Sequence, residues 1–420
     1  MSWGRALLTV ATTSLVAAVL VGLTSRAPAE LRARPDDPGA ADASLGSSFT
    51  DEQVARHAAY RRPGYVAFAL GVVVQVVTLL VLARGPWARS IEGLEARVAS
   101  GVLRYLIAGA VAGLVLTAAA LPLAFVRGFV VEHAWGLSTQ DAAGWLSDRL
   151  KGAAIAAVTS AVAALVFFAV VRWQPRTWWV WGWAAFTVLT AFMFFLWPVV
   201  IAPLFNRFTP LEPGALNDRV RALAAQARVP VDQVLVADAS RRTTAENAYV
   251  AGLGATKRLV VYDNLLESGD EAVAFVVAHE LGHQKENHVF KNLAISSAGL
   301  LAAFAFLGWL GGRTAVWEWG GATGPGDVRA VPLLVLVSIA LTLLATPVES
   351  ALSRRDESEA DRIAIELTED PGAAVTAFRR LALANLADLD PPPLAVAAFY
   401  SHPPIPDRID AVLATTREGS

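Results

Sequence analysis

The chain has 420 residues, of which 55% are hydrophobic and 17% charged, and its mean hydropathy is positive, which excludes an ordinary soluble composition and points to a membrane protein. With 35 basic against 37 acidic side chains and a net charge of −2, it has no overall positive field for gripping nucleic acid, so that partner is excluded. Cysteine is absent; disulfides and thiolate ligands are therefore excluded, and a transition-metal site has to be built from the six histidines and from carboxylates.

A spanning helix needs about 20 predominantly apolar residues to cross a hydrocarbon core roughly 30 Å thick. Seven stretches approach that length: residues 6–23, 65–83, 105–126, 152–171, 178–204, 293–310 and 330–347. The first, with Arg5 ahead of it, also fits a cleaved signal peptide. Residues 29–51, rich in Pro, Asp, Ala and Ser, read as a mobile loop. Trp178, Trp179, Trp181 and Trp183 beside Arg172 and Arg176 read as an aromatic belt at a membrane interface. The pattern divides the chain into helices 1–5 (1–204), a first polar part (205–292), helices 6 and 7 (293–347) and a second polar part (348–420). Two crossings separate the polar parts, which places both on one side. Lys and Arg are balanced between the short loops of the two faces, so the positive-inside rule assigns no orientation.

The first polar part predicts a helix over 216–227, strands over 233–237 and 247–250, a turn carrying Gly252 and Gly254, a strand over 258–262 and a helix over 271–287. The second predicts three helices, broken at Pro371, the 391–393 proline run and Pro403-Pro404. The expected fold is thus mainly α: a seven-helix transmembrane bundle carrying a small α+β domain.

The strongest local signal is His279-Glu280-Leu281-Gly282-His283. Residues four apart share a helical face, so the two imidazoles can bind one zinc ion while Glu280 reaches its water. A catalytic zinc takes three protein ligands and leaves a position for water. A third ligand on the following turn would need Gly at 286 and His at 289, where this chain has Glu286 and Val289; the metzincin arrangement is excluded. A Glu on a separate helix is the other common solution, and the run Arg355-Asp356-Glu357-Ser358-Glu359-Ala360-Asp361 supplies it. Glu357 and Asp361 share a face, so Glu357 can bind zinc while Asp361 accepts the second ring N–H of a ligating histidine; Glu359 is the reserve ligand. Charged Glu271, Lys285 and Glu286 flank the motif, which argues against a site buried inside a span.

These motifs, with His288, Asn247-Ala248-Tyr249, Ser401-His402-Pro403-Pro404 before Arg408, and the run from Pro203 to Leu211, together resemble the type I CAAX prenyl endopeptidases, integral-membrane zinc metalloproteases. The resemblance implies one zinc ion held by His279, His283 and Glu357, with Glu280 as general base. It further implies that His402 donates to the oxyanion, Arg408 braces the acidic ligand shell and residues 247–249 pair with an extended peptide. The partners implied are the lipid bilayer and a peptide or membrane-protein substrate, prenylated CAAX proteins in eukaryotic members. Lys occurs only at positions 151, 257, 285 and 291 while Arg and Ala abound, a bias of GC-rich bacteria; the expected location is a bacterial plasma membrane with the zinc domain on the cytoplasmic side. Rival readings are a membrane quality-control protease of the heat-shock type, which usually has about four spans, and a non-catalytic scaffold stabilised by zinc.

Overall fold

The computed structural model of the chain describes residues 2–32, 49–252 and 257–418. Gly254 and residues 33–48 of the expected loop lie outside them; residues Ala29–Arg32 form one short helical turn. Seven described helices are long and apolar enough to cross a membrane: α1 (Trp3–Thr24), α2 (Asp51–Ala83), α3 (Gly101–Phe125), α4 (Ala142–Trp173), α5 (Trp178–Leu196), α6 (His288–Gly311) and α7 (Val331–Thr368). Their outer faces expose large apolar side chains such as Leu8, Val188, Phe192 and Leu344, the surface a helix presents to lipid rather than water.

Small residues let these helices approach closely. Gly109 and Gly113 are four apart on α3, and a Cβ at the first would stand 2.3 Å from the Ser160 carbonyl oxygen of α4, at the second 2.6 Å from Ser160 Oγ. Only glycine permits that contact. Near Pro122 and Pro198, α3 and α5 pass into π-helical turns over Val126–Val131 and Trp197–Ile201, because proline interrupts the regular hydrogen-bond ladder.

The polar parts build one unit on this bundle. Its sheet has the order β1 (Phe208–Pro210), β2 (Gln233–Ala237), β4 (Arg258–Tyr262), β3 (Ala248–Ala251). The β2–β4 pair is parallel and the outer two pairs are antiparallel, so β3 is an edge strand. Helix α8 (Ala215–Gln226), helix α9 (Asp270–Lys285), the end of α7, α10 (Pro371–Ala384) and α11 (Ile405–Glu418) enclose a single apolar core. That core draws Val220, Leu259, Phe275 and Leu281 from the first polar part and Ile363, Phe378 and Ile409 from the second.

The predicted strands fall within one residue of those observed. Strand β1 escaped the sequence reading because Pro210 ends it, and proline is tolerated only where an edge strand needs no further N–H. The helix expected to start the second polar part is not separate: α7 runs for 38 residues through Pro347, carrying the acidic run directly on the end of the seventh span.

Candidate metal centre

The site is built where α9 crosses the distal end of α7. Asp270 and Glu271 stand in the first turn of α9, where carboxylates complement the helix dipole. Residues 272–279 and 281–282 are all buried, so the helix is anchored on nearly every side before it presents its histidines. The approach to α7 depends on Gly282: a Cβ there would lie 3.1 Å from both the Cα and the carbonyl oxygen of Ala360, and 3.3 Å from Ile363 Cβ. The unnamed positions of the His-Glu-x-x-His motif therefore have their own task, which is to let two helices touch.

That contact brings His279, His283 and Glu357 together, with one donor atom of each within 4.8 Å of the others. His279 Nε2 lies 3.2 Å from Glu357 Oε2, His283 Nε2 lies 3.3 Å from Glu357 Oε1, and the two Nε2 atoms are 3.1 Å apart. The far sides of the rings are held from behind. His279 Nδ1 is 2.8 Å from Asp361 Oδ1, and Arg408 donates to both oxygens of Asp361 while its guanidinium lies 4.3 Å from the centre of the Phe378 ring. With the proton on Nδ1, each ring directs the Nε2 lone pair at the common centre.

His283 is held differently, by a residue to which the sequence reading gave no task. His288, 2% exposed at the start of α6, places its Nδ1 2.9 Å from His283 Nδ1. Its own Nε2 lies 3.1 Å from Glu359 Oε2 and 3.7 Å from Asp356 Oδ1. The turn that allows this is left-handed at Asn287, φ 55°, a conformation asparagine tolerates better than most residues. Glu359, the reserve ligand, thus stands behind His288 and outside the trio. The only sequence signal for His288 was its spacing, five residues after His283.

Glu280 lies on α9 between His279 and His283, half-buried. Burial raises its carboxyl above the ordinary carboxylate value, against the lowering pull of His279 and His283. For His279, burial pushes the imidazole down, but the Asp361 and Glu357 carboxylates outweigh it and hold it at about 9.

His402 arrives on the loop between the short helix Pro393–Phe399 and α11. Its Nε2 is 3.3 Å from Glu357 Oε2, its Nδ1 is 2.8 Å from Ser401 Oγ, and its side chain is 56% exposed, open to whatever enters the site. Asn247 leads into β3, with its carbonyl accepting from Tyr262 N at 2.9 Å; Ala248 and Tyr249 lie on the strand itself, opposite Val261 and Val260.

These residues fit a divalent cation. Glu357 Oε2 is buried without an aligned hydrogen bond although ring nitrogens of His279 and His402 stand 3.2 and 3.3 Å away. An acceptor so placed is costly unless a cation takes its lone pair. Two nitrogens and one carboxylate form the donor set of catalytic zinc sites.

Two family models match the chain: "Peptidase family M48" over residues 210–416 and "CAAX prenyl protease N-terminal, five membrane helices" over residues 38–207. An uncharacterized metalloprotease of Bacillus subtilis is 36% identical over 302 residues, covering 71% of each chain. A CAAX prenyl protease 1 homolog of Arabidopsis thaliana is 32% identical over 308 residues, 70% of this chain and 69% of its own. CAAX prenyl protease 1 of Saccharomyces cerevisiae is 29% identical over 311 residues, 70% and 68%. Among solved structures, S. mikatae Ste24p superposes with a TM-score of 0.74 at 22% identity, covering 96% of this chain and 98% of that one.

Proposed function

The chain belongs to peptidase family M48 and is a multi-pass membrane metalloprotease, and from that premise we propose that it hydrolyses peptide bonds of membrane-associated substrates, prenylated CAAX-type peptides among them. Zinc would be held by His279, His283 and Glu357. When bound there it supplies a Lewis acid that polarises the scissile carbonyl and makes water acidic. Glu280 takes the proton of the attacking water and hands it to the departing amine, a task suited to a carboxyl whose affinity for protons is raised by burial. His402 donates from its ring to the oxygen of the developing tetrahedral centre. Arg408 and Asp361 keep His279 in place; His288 does the same for His283.

Strand β3 holds the substrate backbone. As an edge strand it has hydrogen-bonding groups on the side away from β4, and an extended peptide can add to it as a further strand. We assign residues 205–292 and 348–420 to one catalytic unit, an assignment supported by their common core, and place that unit on the cytoplasmic side of a bacterial plasma membrane.

The observation that carries this reading is the convergence of three donor atoms within 4.8 Å beside Glu280. A four-span quality-control protease is disfavoured by the match to the five-helix N-terminal region, and a scaffold has no use for Glu280, which is no ligand. The test is cleavage of a farnesylated CAAX-type peptide and its unprenylated twin by the detergent-purified protein, with and without a zinc chelator. Chelator-sensitive cleavage of the prenylated peptide alone establishes a CAAX protease. Equal cleavage of both makes the activity general membrane proteolysis, and cleavage of neither overturns the proposal.

A further inference from the structure

A cavity of about 420 Å³ lies where the membrane helices meet the catalytic unit. Gln140, Asp148 and Arg149 line it from the head of α4 and the loop before it; Arg242, Thr243 and Tyr262 line it from the catalytic unit. Its one acidic lining residue is already saturated. Asp148 Oδ2 accepts from Arg242 Nε at 2.6 Å and from Gln140 Nε2 at 2.7 Å, and Oδ1 accepts from Lys151 Nζ at 3.1 Å. Arg149, by contrast, is exposed, has its guanidinium 5.4 Å from the centre of the Trp145 ring, and has no ion-pair partner among the described residues. Two lining cations against one carboxylate, which Arg242 already engages, leave Arg149 as the uncompensated charge and a cavity that favours an anion.

Its position relative to the sheet says which anion. Tyr262 is the last residue of β4 and bonds through its N–H to the Asn247 carbonyl, so the cavity adjoins the N-terminal end of β3. The chain between them is fixed: Asn264 Nδ2 donates to the Thr243 carbonyl at 2.8 Å and to that of Ala245 at 3.1 Å. A peptide added to β3 in the antiparallel sense, the more stable pairing, runs against the strand, and its C-terminal residues head past Asn247 towards Thr243 and Arg242. From Asn247 to Thr243 the extended chain spans at most about 13 Å.

We propose that this cavity receives the free α-carboxylate at the C-terminus of the substrate, with Arg149 as the donor of charge-assisted hydrogen bonds and Arg242, fixed by Asp148, as a second positive wall. This rests on the reading of β3 as the substrate strand in a working peptidase.

The test compares one farnesylated CAAX-type peptide made with a C-terminal carboxylate and with a C-terminal carboxamide, using the full-length protein. Hydrogen bonds to a charged group predict a preference for the acid of about 10-fold or more in kcat/KM. In Arg149→Ala that acid-to-amide ratio falls towards one, and in Arg149→Lys, which keeps charge but loses the planar fork, it recovers in part. Two further residues added at the C-terminus abolish the preference in the same way as amidation. Equal kcat/KM for acid and amide with chelator-sensitive cleavage of both overturns the cavity proposal and leaves the peptidase reading intact. An undiminished ratio in Arg149→Ala overturns the assignment to Arg149. Absence of any chelator-sensitive cleavage overturns the peptidase reading, and the cavity proposal falls with it.

Discussion

At the scale of single residues, the proposed mechanism separates groups that would hold metal from groups that would move protons. Glu280→Gln keeps the shape of the side chain and removes its proton acceptor, so peptidase activity is expected to fall by about 10²- to 10⁴-fold while zinc content by metal analysis stays at one ion per chain. The ligand and its reserve are separated by geometry: Glu357 faces both Nε2 atoms at 3.2 and 3.3 Å, whereas Glu359 meets only His288. Glu357→Ala should therefore empty the site, and Glu359→Ala should leave zinc bound; metal analysis showing the reverse would move the ligand to Glu359. His288→Ala leaves His283 Nδ1 without its partner. Loss of such a supporting group typically costs about 10- to 100-fold in metal affinity, a weakening that competition with a chromogenic chelator measures directly.

At the scale of elements, much of the site was legible because its signals are local. The spacing of His279 and His283 specifies a helical face, and Glu357 and Asp361 specify another, so both could be named before any contact between α9 and α7 was seen. The contact itself was not legible. Gly282 reads in sequence as a mild weakness in a helix, and only the 3.1 Å clearance to the Ala360 backbone gives it a purpose. His288 was hidden for a related reason, since the left-handed turn at Asn287 folds it back onto His283 in a way no periodicity encodes. Gly282→Ala adds a single methyl group where backbone stands on the other side, and overpacking of this kind costs about 1–3 kcal/mol. The expected result is a lower unfolding temperature together with weaker zinc binding, because the helices must part where they hold the ligands. A variant with weakened zinc binding and unchanged thermal stability would mean that the helices yield locally instead.

At the scale of the whole molecule, seven spans were legible from length and hydropathy alone, but the ties between the first half of the bundle and the catalytic unit were not, because they join residues far apart in the chain, from 94 positions for Asp148 and Arg242 to 335 for Tyr65 and Tyr400. Helix α2 makes the longest-range set. Arg61 donates to the carbonyls of Leu386 and Asn385 at 2.7 and 2.8 Å, and His57 Nδ1 lies 2.6 Å from the Ala387 carbonyl. Asn385 in turn bonds residue 246, next to β3, through both its side-chain atoms. The Tyr65 hydroxyl donates to Asp388 Oδ2 at 2.9 Å and lies 2.7 Å from the Tyr400 hydroxyl, two residues before His402. Arg354 holds the Tyr400 carbonyl from α7. A membrane helix thus sets the loop that carries His402 and, through Asn385, the residue that leads into Asn247 and β3. Tyr65→Phe removes the hydroxyl while keeping the ring, at about 0.5–1.5 kcal/mol for each hydrogen bond lost. If α2 positions the His402 loop, kcat should fall several-fold with zinc content and KM little changed, since the metal ligands and β3 are untouched; a change confined to thermal stability would reduce the contact to a structural tie.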